Sequence, residues 1–251
     1  RQGAAMFEDS PVTGIRPGRV ATPGGTVTAP IILRCTEGFT ATLPGHRRDW
    51  LPLNSAQIVT QPLAPEIWAR IGWDGGEIVG DFDHSYCYCQ RTRDGRIAVG
   101  ARGVPYRFGS RPDRETVRRL ATILHRHFPA ARAARIDHAW CGVLGVPRDW
   151  CATVGLDRAT GIGWAGGYVG VGVSTSNLAG RTLADLALDR TTDLTTLPWV
   201  NRKPRKWEPE PLRWLGLRGM YRMYGAADRT EAAGGAPSRL AGLANRLTGR
   251  G

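Results

Sequence analysis

Six glycines fall within the twelve residues Gly161–Gly172, followed by Ser174-Thr175-Ser176 and then by an amphipathic helical pattern. Glycine lets a backbone pass close to a ligand and adopt a positive φ without strain. The first turn of a helix carries unpaired N–H groups and the positive end of the macrodipole. A glycine-rich loop entering a helix is therefore a seat for an anionic or electron-rich group; the plain alternative is a turn that holds no ligand. The spacing predicts a helix from about Val173 to Leu188, with Ser174 or Thr175 as N-cap. Gly161, Gly163 and Gly166 also match G-x-G-x-x-G. That dinucleotide fingerprint needs a helix opening at its last glycine and an acid about 20 residues on, at the end of the next strand. Here the glycines continue through Gly167, Gly170 and Gly172, and Asp185 and Asp189 fall on or just after the helix, which excludes a first Rossmann turn.

Other chemistry-bearing residues are sparse. The five cysteines, Cys35, Cys87, Cys89, Cys141 and Cys151, are odd in number and contain no CxxC. Reduced thiols in a cytoplasmic setting are the default expectation. Cys87 and Cys89 share one face of a strand, with His84 nearby. No fourth ligand follows at zinc-like spacing, so they read as packed strand cysteines and no metal is expected. His125 and His127 close a helix, where they interact favourably with the dipole, and are assigned no chemistry.

The 251 residues carry a net charge of +12, with 41% hydrophobic and 22% charged residues, as in an ordinary globular protein. One large domain or two small ones fit this length. No apolar run is long enough to span a membrane, and the N-terminus has no signal-peptide core. The excess charge concentrates in residues 111–135 and 202–229. The first is an amphipathic helix whose arginines point away from Val117, Leu120, Ala121, Leu124 and Phe128, as on a solvated face. No nucleic-acid motif appears, so neither nucleic acid nor membrane is the expected partner.

Along the chain, VTGI, RVATP, TVTA and IILRCTEG read as strands separated by Pro/Gly turns. The run Ile31-Ile32-Leu33 suits a strand buried on both faces of a parallel sheet. Strands are expected at residues 51–63, 77–82, 84–91 and 96–100, with a hairpin turn at Asp94-Gly95. Helices are expected at residues 65–71 and 112–128, and a further strand at 136–144. Residues 147–172 read as loop-rich around one strand, 162–165. One helix is expected near Pro211–Tyr224, and the last twenty residues read as poorly ordered.

This order of elements, with the segments GRVATPGGTVTAPIILRCTEGFTATLPG, QRTRDGRIAVGARGVPYRFGSR, HAWCGVLGVPRDWCATVGLD and GIGWAGGYVGVGVSTSNLAGRTLADL, resembles the C-terminal portion of the FAD-dependent amine and amino-acid oxidoreductases. The likeness is to the D-amino-acid-oxidase/glycine-oxidase type and its γ-glutamylputrescine-oxidase-like branch. It covers roughly residues 7–210. The implied fold is α+β: a large antiparallel substrate-domain sheet with helices, plus the C-terminal pieces of an α/β FAD-binding domain whose N-terminal Rossmann unit is missing from this chain. Residues 1–50 and 147–190 are then expected in the FAD-binding domain, 51–146 in the substrate-binding domain, and 191–251 in a partly disordered tail.

The resemblance further implies FAD as cofactor and a small-molecule amine or amino acid as substrate, oxidised at its C–N bond by hydride transfer to flavin. It places Gly166, Gly167, Tyr168, Gly170, Val171, Gly172 and Val173, with Thr36 and Gly38, against the flavin. Val171 stands where similar sequences often carry an acid. Gln57, Arg148 and Tyr168 are the candidate substrate contacts. Their plain alternatives are a sheet-edge polar residue for Gln57, an ion pair with Asp149 or Asp157 for Arg148, and packing for Tyr168. No acid–base catalytic residue is expected, because such chemistry proceeds once the amine arrives neutral and oriented. Cys141 lies roughly where a relative carries its flavin covalently; a buried inert thiol is the alternative. The missing Rossmann unit is itself an expected partner. A non-catalytic remnant and a basic binding module are the competing functions.

Overall fold

The structure, a computed structural model, describes residues 3–234 and 236–248. In chain order its elements are β1 (Gly14–Arg16), β2 (Arg19–Thr22), β3 (Gly25–Thr28), β4 (Ile32–Arg34), β5 (Leu51–Thr60), α1 (Pro65–Ile71), β6 (Ile78–Gly80), β7 (Cys87–Arg91), β8 (Ile97–Pro105), α2 (Arg114–His127), β9 (Ile136–Val146), β10 (Thr153–Asp157), β11 (Ile162–Gly166), α3 (Gly172–Ala187), α4 (Leu212–Ala232) and α5 (Arg239–Thr248). They form two compact units. The first holds residues 1–51 and 144–207, the second 52–143 and 208–251.

In the first unit, β1, β2 and β3 make an antiparallel meander with Ile15 opposite Val20 and Val20 opposite Val27. A second sheet has the order β10-β11-β4. β10 and β11 pair antiparallel, and β11 runs parallel to β4 with Gly163 opposite Leu33. Helix α3 covers this sheet through Ala179 and Leu183, which pack on Val154 and Ala165. The strand β10 lies in the stretch that reads as loop, because five residues between turn signals leave too little periodicity. The expectation of two-sided burial for β4 fails at Leu33, which is 42% exposed while Ile32 and Arg34 are buried. β4 is the edge of a three-stranded sheet, and only one of its faces meets packed side chains.

In the second unit a five-stranded sheet has the order β6-β7-β8-β5-β9. Its helix-side face follows strand alternation: Ala56 and Ile58, Cys87 and Cys89, Ile97, Val99 and Ala101, and Cys141 all point into one core. Leu120, Leu124 and Phe128 of α2 and Trp68 of α1 fill the other side of that core. α2 starts one residue after Asp113, whose carboxylate accepts the Thr116 N–H at 2.8 Å. α1 has Pro65 in its first turn and ends on Gly72 at φ 69°, the left-handed conformation glycine favours. The C-terminal stretch holds two helices where the pattern predicts one. The spacing of Leu240, Ala241 and Ala244 supports α5, and Tyr224 Oη donates to Asn245 Oδ1 at 2.9 Å across the α4–α5 pair. The rest of the expected disorder falls on residue 235 and residues 249–251, outside the described residues. No helix among the described residues is long and apolar enough to cross a membrane.

Leu120 is fully buried, whereas Arg118 is exposed on the same helix. Leu120→Ala is expected to cost about 2–5 kcal/mol and Arg118→Ala no more than about 0.5 kcal/mol. Denaturant unfolding of the two variants checks the orientation of α2; equal effects contradict it.

Candidate functional site

The glycine-rich loop in the first unit is a run of left-handed backbone. Gly166, Gly167, Val169 and Gly170 have φ of 155°, 75°, 52° and 101°. Val169 is β-branched, and a positive φ there is sterically costly. A Cβ on Gly166 would stand 2.5 Å from the Trp50 ring, and one on Gly167 would stand 2.5 Å from Pro147 Cγ. These two positions therefore require glycine for space as well as for conformation.

Glu37 holds the loop in place. It is the first residue of a 3-10 turn, Glu37–Thr42, and has φ 41°. Its Oε2 accepts the Gly167 N–H at 2.8 Å, and its Oε1 accepts the N–H groups of Gly145 at 3.0 Å and Tyr168 at 3.4 Å. One carboxylate thus ties the end of β4, the end of β9 and the loop before α3. Burial pushes the Glu37 carboxyl above its ordinary value of 4.5, and the three N–H donors pull it back. Tyr168 is also pushed up, to about 12, first by burial and then by the neighbouring Cys35 and Glu37 charges. Its phenol therefore stays protonated at neutral pH and can donate to an anion.

α3 opens at Gly172 with Val171 as N-cap, without a side-chain cap and without an acid in its first turn. The expected N-cap is thus displaced. Ser174 and Thr175 lie inside the first turn, and Thr175 Oγ1 donates back to the Val171 carbonyl at 2.7 Å. Val171 and Val173 are 67% and 96% exposed. The helix end therefore presents uncapped N–H donors beside apolar side chains. That donor set suits a planar ligand with an apolar face and electron-rich edge atoms, which is the character of a flavin ring.

Among the other flavin candidates, Gly38 is buried beside Glu37, and Thr36 Oγ1 shares a 2.8 Å hydrogen bond with Thr40 Oγ1. Thr36, Gly38 and the loop residues 166–173 all belong to the first unit. Arg148 also lies there, its guanidinium 5.2 Å from the centre of the Trp207 ring, while Arg202 takes Asp149. Trp164 Nε1 donates to Thr153 Oγ1 at 3.1 Å.

Gln57 stands in the second unit on the sheet face opposite the helices, across from Gly100. Ser55 shares this face and hydrogen-bonds Tyr88 Oη at 3.2 Å. Gly100 makes room for that ring, because a Cβ there would lie 2.3 Å from it. Asn54 sits at the bulge in β5 between Leu53 and Ser55 and is 2% exposed. Cys141 is buried on the other face, where its thiol donates to the Gly109 carbonyl at 3.2 Å.

Sequence reasoning missed Glu37 and Tyr88. The contacts of Glu37 span more than a hundred residues of chain, and its positive φ has no local signature. Tyr88 is one member of an alternating strand, and only the bare position opposite it, Gly100, hints at its role.

Removing the Glu37 carboxylate orphans up to three N–H groups, so Glu37→Ala is expected to cost about 1–3 kcal/mol. A carboxyl whose pKa is raised on folding contributes stability that is full below 4.5 and is lost as pH rises through the folded value. The stability difference between the native chain and Glu37→Gln should accordingly shrink as pH rises from 4.5 through the raised folded value. Denaturant melts across that range test the sign; a widening gap contradicts it.

Residues 1–186 match the family described as FAD dependent oxidoreductase. The chain is 31% identical over 184 residues to the probable oxidoreductase OrdL of Rhizobium meliloti (strain 1021), covering 71% of this chain and 40% of that protein. It is 30% identical over 190 residues to the gamma-glutamylputrescine oxidoreductase of Escherichia coli (strain K12), covering 73% of this chain and 43% of that one. Among solved structures, glycine oxidase from Geobacillus kaustophilus superposes with a TM-score of 0.68 at 21% identity, over 81% of this chain and 54% of its own. The chain thus spans about half the length, or less, of the relatives it matches. The resemblance carried by the four sequence segments is borne out at the level of the family: the chain belongs to the FAD-dependent oxidoreductases.

Proposed function

We propose that this chain supplies the C-terminal part of an FAD-dependent oxidoreductase that oxidises the C–N bond of an amine or amino acid. The observation that carries it is the uncapped N-terminus of α3, reached through a strained glycine loop that Glu37 fixes from behind. In this reading residues 1–50 and 147–190 belong to the FAD-binding domain and 51–146 to the substrate domain. The protein works in a reducing cytoplasm, in keeping with five free cysteines. FAD, when bound, supplies the hydride acceptor.

The chain's own residues bind and orient. The backbone N–H groups at Gly172 and Val173, with the α3 dipole, favour negative charge on the flavin by about 0.3–1 kcal/mol, and more where water is excluded. Gly166, Gly167 and Gly170 let the backbone approach the ring, and Val171 and Val173 cover its apolar face. Thr36 and Gly38 line the cofactor from the end of β4. Tyr168 donates its phenolic proton, and Arg148 offers a guanidinium, to a substrate carboxylate. Gln57, on the sheet face it shares with Ser55 and Tyr88 in the second unit, is the substrate contact that the family resemblance implies. The reading is supported by the family match and by the names of relatives, a gamma-glutamylputrescine oxidoreductase and, for the fold, a glycine oxidase.

The test is to purify the protein from its complete reading frame and record flavin absorbance, then its bleaching by amines and amino acids without oxygen. A yellow protein bleached by one such class is expected; a colourless protein overturns the reading. Acid precipitation should release the flavin, leaving Cys141 a packed thiol; retained flavin would assign it the covalent link. Gly167→Ala should lower stability by about 1–3 kcal/mol and weaken FAD retention, since it meets both a positive φ and Pro147.

A further inference from the structure

We propose that Asp81, Cys87, Cys89 and His127 form a zinc-binding site within the second unit. The four residues come from three places in the chain: Asp81 follows β6, the cysteines lie on β7, and His127 ends α2. One ligand atom each from Asp81, Cys87 and His127 lies within 4.8 Å of the others. Cys89 lies two residues further along β7, on the same buried face as Cys87. Sequence spacing points instead to His84. The fold turns His84 elsewhere, onto Glu231 at 3.3 Å and into a stack with Tyr224, and brings His127 to the thiols.

The donor set fits zinc. Thiolate, imidazole and carboxylate together make a borderline-soft site, and two thiolates disfavour magnesium and calcium. Bonds of about 2.3 Å to sulfur and about 2.0–2.1 Å to nitrogen and oxygen imply ligand–ligand distances of about 3.3–3.8 Å in a tetrahedron. His127 Nε2 and Asp81 Oδ2 already stand 3.2 Å apart. The Asp81, Cys87 and His127 atoms therefore need to draw in by about 1 Å or less to close on an ion.

The outer contacts are those of a held ligand set. Asp81 Oδ1 accepts the Cys87 N–H at 2.9 Å; Arg126 Nη2 donates to Asp81 Oδ2 and Asp83 Oδ2, both at 2.8 Å, and stands 3.2 Å from His127 Nε2, so an entering ion displaces the guanidinium toward Asp83. The His127 ring lies 6.4 Å from Phe128, which stacks on Trp73 at 5.4 Å. Ligands oriented by such partners bind metal more tightly. Charge also balances. On binding, both thiols lose their protons and His127 is neutral, so three anionic ligands surround a dication and the Arg126 guanidinium offsets the remaining charge. His127 lines a cavity of about 830 Å³ with Trp73, Asp74, Glu77 and Val79, whereas Cys87 and Cys89 are 2% and 1% exposed. The ion would fasten the end of α2 to the sheet.

The experiment titrates the 251-residue chain, freed of metal with chelator and kept reduced, with cobalt(II) and then zinc. The expected result is one equivalent of cobalt giving a thiolate-to-metal charge-transfer band with tetrahedral d–d bands, bleached by one equivalent of zinc. Zinc should also raise Tm. His127→Gln and Cys87→Ser should each weaken zinc binding at least about tenfold, while Cys151→Ser, an exposed thiol elsewhere, leaves it unchanged. If Cys87→Ser fails to fold, His127→Gln decides alone, because its side chain is a quarter exposed. Absence of the charge-transfer band, or a band that survives in His127→Gln with undiminished affinity, overturns the proposal.

Discussion

The geometry of the first unit depends on one half-buried acid. A carboxylate taken out of water must find donors, and Glu37 finds them in the main chain of three segments. The cost of burial is set against three hydrogen bonds to a charged acceptor, each worth more than its neutral counterpart. What this fixes is backbone rather than side chains. With the N–H groups of Gly145, Gly167 and Tyr168 turned toward Glu37, the loop is committed to a course that ends at the start of α3.

The glycines follow from that course. The loop passes so close to Trp50 and Pro147 that side chains at Gly166 and Gly167 have no room. The strained conformations of Val169 and Glu37 persist because packing and hydrogen bonds over-determine them. Rigidity gained this way is what a flavin site needs, since orientation and electrostatics are the protein's share of hydride chemistry. An uncapped helix end is otherwise a defect, with up to four N–H groups lacking partners. Here it stands beside exposed valines, and in the proposed flavin site both features acquire a purpose together.

The loop, the helix and the sheet of the second unit were legible in the sequence because their signals are local. Glycine density marks the loop, three- and four-residue spacing marks α2 and α3, and Asp94-Gly95 marks the β7–β8 turn. The boundaries of α1 agree residue for residue, with Pro65 at one end and Gly72 at the other. What was not legible is non-local. The Leu33 face depends on which neighbours cover an edge strand, the N-cap of α3 on where the loop releases the chain, and the role of Glu37 on partners from distant segments. β10 escaped because its burial comes from α3 and from residues near Val200, not from its own pattern.

The same physics separates two half-buried acids, Glu37 and Asp81. Glu37 is saturated by backbone N–H groups, which are permanent donors and cannot be exchanged. Asp81 is satisfied chiefly by side chains, an imidazole and a guanidinium, with only the Cys87 N–H from the main chain. Backbone donors make a fixed structural post. An imidazole and two thiols make a set whose protons a cation can replace. Which kind of partner a buried carboxylate acquires therefore decides whether it holds the fold or holds a ligand. This chain has one of each, on the two units into which its contacts divide it.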